Sequence, residues 1–557
     1  MNPFTQPQAG QPAWLLASML ALLSPALQAA DLHVCDCGDN SLPACVAGDD
    51  GNSGVSPEFP LRSYERARLA FAGLAASDAI RFCRGGAWNV DTTGERWVNA
   101  ACRAETPCTV GAYTPGWAGD DSPLPWIERR TDQHGFALQD GGNADHEEGY
   151  VFEDLHISSN LGEAATASGF LLQNDIDDVL IQRVVIAGFR IGVHLAGSND
   201  CSADPLCDGR NERIVLRDAQ VEGNRSFGWL GSSDGSEILD STFSNNGSLA
   251  VFDHNIYISG ASDGMRIVGN RLDRATLDAV GRCSAVSLVV HGEQSHLLIE
   301  NNAVEEALGT PNAGCWGIAV DPGYSEAEGF TDVTIRGNRV RNVGRIAIGI
   351  ASCQRCVIEN NLMIQENAAA DFDSLGIAAP DRDRAANDLP MDRVTVRNNA
   401  IYFGPAAIGV GIRLNGEGEA HLLVSNAIHY AGAGPFSCFD ADDLPARYLA
   451  MDHNLCFTPS APGADWVRGV GGLQEWQSAI GFDLHSATLD PGFNDPAAGD
   501  LRPASMASAM VDRGDPLYSS AADVSGHPRD ADPDIGAWEW VPTEADLIFA
   551  DGFDSLP

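Results

Sequence analysis

The sequence predicts an all-β chain, a right-handed single-stranded parallel β-helix with a short N-terminal capping helix. Three observations carry this. First, between about residues 211 and 456 one motif keeps returning: apolar alternation, a small or acidic residue, asparagine, then alternation again. Its copies reach Asn224, Asn246, Asn270, Asn301, Asn338, Asn360, Asn398, Asn426 and Asn454. Recurrence with insertions of unequal length marks a solenoid. Second, apolar residues fall at every second place in RIVLRDAQV, VTIRGNRV and RVTVRNNAI, so the repeated units are strands with one buried face. Third, the shortest spacing, Asn224 to Asn246, is 22 residues, too short for helix pairs and enough for three short strands and three turns. A leucine-rich repeat has a similar period but needs leucine at fixed places; here Ile, Val and Leu interchange. Coils of this kind stack about 4.8 Å apart, so asparagines at one turn form an internal amide ladder. The stacked series is expected to include members of the set Asn270, Asn301, Asn338, Asn360 and Asn398.

In chain order, residues 1–30 read as a secretory signal: an apolar core from Ala13 to Leu23, Pro25 to break it, then Ala29 and Ala30. No basic residue precedes the core, which departs from the usual pattern, and no later apolar run reaches membrane length. Residues 31–125 form a loop-rich cap. Within it Tyr64, Ala67, Phe71 and Leu74 fall on one helical face, suited to covering the open end of the first coil. Coils occupy 126–489, a closing segment 490–541, and a flexible tail 542–557.

Fourteen cysteines fit an oxidising, extracellular or periplasmic destination. Cys283 and Cys315 precede equivalent strands one coil apart and are expected to bond. Cys102 with Cys108, and Cys201 with Cys207, are placed to close small loops. Cys353 and Cys356 have CxxC spacing but stand alone between two strands, which favours a structural role over redox or zinc chemistry.

The formal charge is −43, and all 34 cations are arginine. That balance excludes nucleic acid as a partner and disfavours anionic membranes. It also argues against polyuronate binding unless Ca²⁺ bridges the two anions. The acidic loops at Asp140–Glu148 and at Asp440, Asp442 and Asp443 offer oxygen donors suited to Ca²⁺. No His/Cys spacing supports zinc.

The cap and the closing segment carry a family resemblance. Asp49-Asp50-Gly51-Asn52, Pro60, Ile80–Phe82 and Gly85-Gly86 precede the coils. After them come Asp490-Pro491, Phe493, Asp500, Arg502, Asp512, Gly514, Asp523, Gly526, Arg529 and Asp534-Ile535-Gly536-Ala537 with Glu539. Together with the repeats, this resembles secreted right-handed parallel β-helix proteins of the pectin-lyase-like superfamily. The resemblance implies an exported, monomeric protein whose partner is a polysaccharide. It leaves open lyase, hydrolase, epimerase, and non-catalytic binding or surface protein. The polygalacturonase motifs are absent, since Arg266-Ile267 is followed by valine, and a lysine base is ruled out because the chain has no lysine. Asp253-His254 matches only the Asp-His pair of pectate lyases.

Alternation gives a route to a site that needs no motif. With Ile, Val and Leu kept inward on the strand after each long insertion, the outward residues include Tyr257, His291, Asp321 and Arg413. Small residues Ala319, Gly349, Ala351 and Ala378 lie between as a groove floor. His291 and Asp321 fall on successive coils and are the candidate catalytic pair, imidazole as base and carboxylate to orient it. Tyr257, Glu293, Arg382, Arg384 and Arg413 are the candidate substrate-binding residues, the arginines for a sugar carboxylate or sulfate.

Overall fold

The computed structural model describes residues 30–140, 147–197, 209–248, 252–368, 372–380, 387–442, 444–461 and 463–541. Three long parallel sheets run its length. The first has 14 strands, from Asp31–Val34 to Tyr448–Asp452. The second has 13, from Ala87–Val90 to Leu455–Phe457, and the third has 12, from Phe136–Gln139 to Asp465–Val467. Each strand pairs with strands of the coils before and after it, as Leu298↔Thr334 and Thr334↔Val357 show, which makes the chain a right-handed parallel β-helix. A short fourth sheet of Ala261–Asp263, Glu293–Ser295, Gly329–Thr331 and Cys353–Gln354 widens the middle coils. The sheets begin upstream of residue 126: strand Asp31–Val34 already pairs with Ala79–Cys83.

The inward faces form one continuous core, with Ile267, Ile299, Ile335, Ile358 and Val396 stacked and at most 1% exposed. The amide ladder is real, but its membership differs from the expectation. Asn270, Asn302, Asn338, Asn361, Asn399, Asn426 and Asn454 form it. Asn338 donates from both its backbone N and Nδ2 to Asn361 Oδ1 (2.9 and 3.0 Å), and the members up to Asn426 repeat the pattern. The second Nδ2 hydrogen goes to a carbonyl, as Asn302 to Ile267 (2.9 Å), which satisfies the ladder amide. Asn301, Asn360 and Asn398 stand one place earlier, at φ 54°, 54° and 50°. Gly269 and Gly337 take the same place in other coils at φ 72° and 66°. The motif is therefore a left-handed residue, which glycine and asparagine tolerate, followed by the ladder asparagine. Asn224 and Asn246 stack at a different corner, between the second and third sheets, where Asn224 Nδ2 donates to Asn246 Oδ1 (2.9 Å).

Helix α1 (Tyr64–Phe71) is capped by Ser63, whose hydroxyl accepts from Arg66 N (3.1 Å). It buries Tyr64, Ala67 and Phe71 against Trp97 and Phe136 at the start of the third sheet, with Leu74 buried just beyond. A second helix, α2 (Leu473–Ile480), packs against the last strand of the third sheet. There Trp466 and Trp476 both donate indole N–H to Asp483 Oδ2 (3.1 and 2.9 Å).

The closing segment doubles back along the second sheet. Phe493, Leu501, Met510 and Ile535 cover its outward residues Leu362, Ile364, Ala400, Tyr402 and Leu455. Arg397 donates to Tyr518 O (3.0 Å), Asn360 to Ala522 O (2.9 Å), and Gly536 N to Ser425 O (2.8 Å).

Disulfides join Cys283–Cys315 (Cα–Cα 5.4 Å), as expected, and also Cys102–Cys108 and Cys353–Cys356. Three more are Cys35–Cys83, Cys37–Cys45 and Cys438–Cys456. Cys201 and Cys207, the signal and the tail lie outside the described residues. Among those residues no helix is long and apolar enough to cross a membrane.

Candidate functional site

The third sheet carries the outward row read from alternation. Tyr257, Val289, Ala319, Gly349, Ala378, Arg413 and Asp440 are register partners on successive strands. The middle of the row is not an open floor. Val289, Ala319 and Ala378 are at most 2% exposed, and Ile346, Leu375, Ala378 and Val410 form an apolar cluster against which Trp316 packs.

At the N-terminal end of the row, His291 and Asp321 are brought together, but not as a simple carboxylate–imidazole pair. His291 Nδ1 lies 2.5 Å from the Asp321 backbone oxygen and 3.8 Å from Oδ1. The ring sits between Tyr257 and Tyr324, with centroids 5.6 and 5.5 Å away, and the two tyrosine hydroxyls meet at 2.6 Å. Burial, reinforced by that mutual contact, pushes the Tyr257 phenol up. Buried Glu328 pins the covering turn by accepting from Gly292 N, Gly323 N and Tyr324 N. A Cβ on Gly323 would fall 2.6 Å from the imidazole, so the turn lies directly on the ring. The imidazole side chain is only 16% exposed.

Other predicted residues are scattered. Glu293 is exposed on the fourth sheet, in a separate cleft with Asp263, Gln294 and Leu389. Arg382 and Arg384 lie outside the described residues. Arg413 is four inter-strand spacings from the His291 strand, roughly 19 Å, so one sugar ring cannot touch both. Neighbouring His254 is buried, with Nδ1 2.8 Å from Val286 O, and burial pushes its pKa down to about 4, as in a structural neutral imidazole.

Space opens instead at the C-terminal end of the row. A cleft of about 570 Å³ is lined by Arg345, Asp373, Val410, Arg413, Asp465 and Arg468. Arg413 Nε donates to Asp440 Oδ2 (2.8 Å), and Arg468 stands 3.8 Å from the same carboxylate. Arg345 and Arg468 are exposed at its rim. Alternation carried one strand further would have found Arg468, since Phe439 pairs with Val467 and the next outward place after Asp440 is then Arg468. Arg345 and Asp373 precede their strands and carry no periodic signal.

As to Ca²⁺, Asp440 already serves Arg413 and Asn415, and Asp442 Oδ2 accepts from Gly416 N (2.9 Å). Asp443 and residues 141–146 lie outside the described residues.

No family model and no curated protein matches the chain. Among solved structures it is similar to an alginate lyase from Paenibacillus sp. str. FPU-7, at 13% identity and TM-score 0.39, over 58% of this chain and 96% of that one. It is also similar to the A-module of the Azotobacter vinelandii mannuronan C-5 epimerase AlgE4, at 13% identity and TM-score 0.40, over 73% and 95%. Pectate lyase Pel9A gives 13% identity and TM-score 0.36, over 92% and 97%. The fold rests on the chain's own three parallel sheets, and these likenesses add no residue and no activity to it.

Proposed function

We propose that the protein is an exported binder of acidic polysaccharide, which it holds in the cleft formed by Arg345, Arg413 and Arg468. The carrying observation is that three arginines converge on one 570 Å³ cleft of a chain that is strongly anionic and lacks lysine. Guanidinium groups match carboxylate and sulfate geometry in two-point contacts. The general negative charge does not forbid this, because salt screens it over roughly 8 Å at physiological ionic strength while the arginines touch the ligand directly. Six disulfides among the described residues support an oxidising, extracytoplasmic setting.

The test is retention of the mature chain on a panel of acidic and neutral polysaccharides, with and without chelator. Ultraviolet absorbance of unsaturated uronate and release of reducing ends are followed in the same samples. Retention on acidic glycans alone, weakened about ten-fold by Arg468→Ala or Arg345→Ala, is the expected result. Equal retention of both variants removes this cleft from the function. Product formation would add catalysis to binding.

A further inference from the structure

Where the second sheet ends, one turn departs from the pattern of its predecessors. The left-handed place before each ladder asparagine holds Gly269, Asn301, Gly337, Asn360, Asn398 and Ser425, and before the final ladder asparagine, Asn454, it holds His453 at φ 54°. On the next coil Leu455 pairs with Ala487, which stacks His485 on His453, with ring centroids 4.8 Å apart and planes 20° from parallel. Asp452 completes the group. Its Oδ1 accepts from the backbone N of both His453 (2.9 Å) and His485 (2.7 Å), and its Oδ2 lies 2.7 Å from His485 Nδ1. One ligand atom from each of the three lies within 4.8 Å of the others.

We propose that Asp452, His453 and His485 bind a divalent transition metal of the zinc class. The arrangement has the features such a site needs. His453 Nδ1 is 2.8 Å from the carbonyl of Arg513, so it is the protonated nitrogen and Nε2 carries the lone pair. A carbonyl fixing the tautomer of a ligating imidazole is the usual outer contact of metal histidines. The carboxylate is oriented by two backbone N–H groups rather than by a competing arginine. Two imidazoles and one carboxylate favour zinc, copper or nickel over calcium, which takes oxygen donors. Metal–nitrogen and metal–oxygen bonds of about 2.0–2.2 Å require the three atoms to draw together. His485, with 66% of its side chain exposed, is free to make that rotation. Three protein ligands leave a fourth position for water. Because Arg513 belongs to the closing segment, bound metal also tightens that segment on the last coils.

The test is calorimetric titration of the full mature chain with Zn²⁺, with Tm followed in parallel. His453→Asn is the informative variant, because asparagine already occupies this turn in three other coils and keeps the backbone while removing the ligand. His485→Ala is the second. One saturable site in the wild type, a Zn²⁺-dependent rise in Tm, and affinity at least about ten-fold weaker in both variants are expected. Absence of saturable binding, or unchanged affinity in the variants, overturns the assignment. A site elsewhere, such as exposed His296 beside Asp263, would survive both substitutions and so gives that second outcome. Displacement of Zn²⁺ by equimolar Ca²⁺ would also overturn it.

Discussion

Arg413 and Asp440 are direct register partners on adjacent strands, and the guanidinium Nε is 2.8 Å from the carboxylate. The arginine that points into the cleft is therefore already half engaged by its neighbour. Any acidic ligand competes with Asp440 for it.

Asp440→Asn is expected to tighten binding of acidic glycan. The pair is partly exposed, 26% and 18%, so its strength is under about 1 kcal/mol and the gain is up to about five-fold. Arg413→Ala should go the other way. Affinity on the best glycan of the panel, measured for both variants in one buffer, checks the opposite signs.

The ladder makes a sharp contrast between adjacent asparagines. Asn338→Leu leaves Asn302 N and Nδ2 without their acceptor and removes one of the two donors to Asn361 Oδ1, a loss of roughly 1–3 kcal/mol for each group stranded. Asn301→Gly changes a left-handed turn residue to the one other coils use there, and should stay within about 0.5 kcal/mol of wild type. Chemical denaturation of both variants decides it; equal losses would contradict the assignment of ladder and turn.

Asp483 links the end of the core to pH. Burial pushes its carboxyl up to about 6 from 3.8, against the pull of Ser486, Trp466 and Asn454, which donate to it. The folded state holds this proton more tightly than the unfolded chain. Its contribution to stability is therefore complete below about pH 4 and is lost as pH rises through about 6. Wild type should lose stability relative to Asp483→Asn across that window, read as the difference between their denaturation curves at pH 4 and pH 7. A constant difference would refute the linkage.

Gly323 tests the cover over His291. Gly323→Ala puts a methyl 2.6 Å from the ring and must displace either the turn or the imidazole, at about 1–3 kcal/mol. Affinity for acidic glycan at the arginine cleft should not change. A fall in affinity equal to that of Arg413→Ala would join the two ends of the row functionally.

Much of this was legible in the residues, and the parts that were not share one cause. Alternation placed Tyr257, Ala319, Gly349 and Arg413 on one outward row, because period two is a local property of the strand. The paired asparagines misled by one place, since Gly-Asn and Asn-Asn look like one motif until φ separates the turn from the ladder. Exposure was not legible: Trp316 packs against the cluster that holds floor residue Ala378, and the turn Glu328 holds lies on His291, contacts made by loops with no period. Glu293 looked like a neighbour of His291 because only Gly292 separates them, but a sheet boundary falls there.

The closing segment changes how the molecule responds to load. A plain stack of coils touches only nearest neighbours, so a pull on its C-terminal end peels one coil after another at low force. Here one strap is fastened to five coils at once, through Arg341 to Ala497, Asn360 to Ala522, Asn398 to Asp534, Ser425 to Gly536 and His453 to Arg513. Detaching the last coil strains the fastenings on the four before it. The C-terminal half is thereby made to yield as one block.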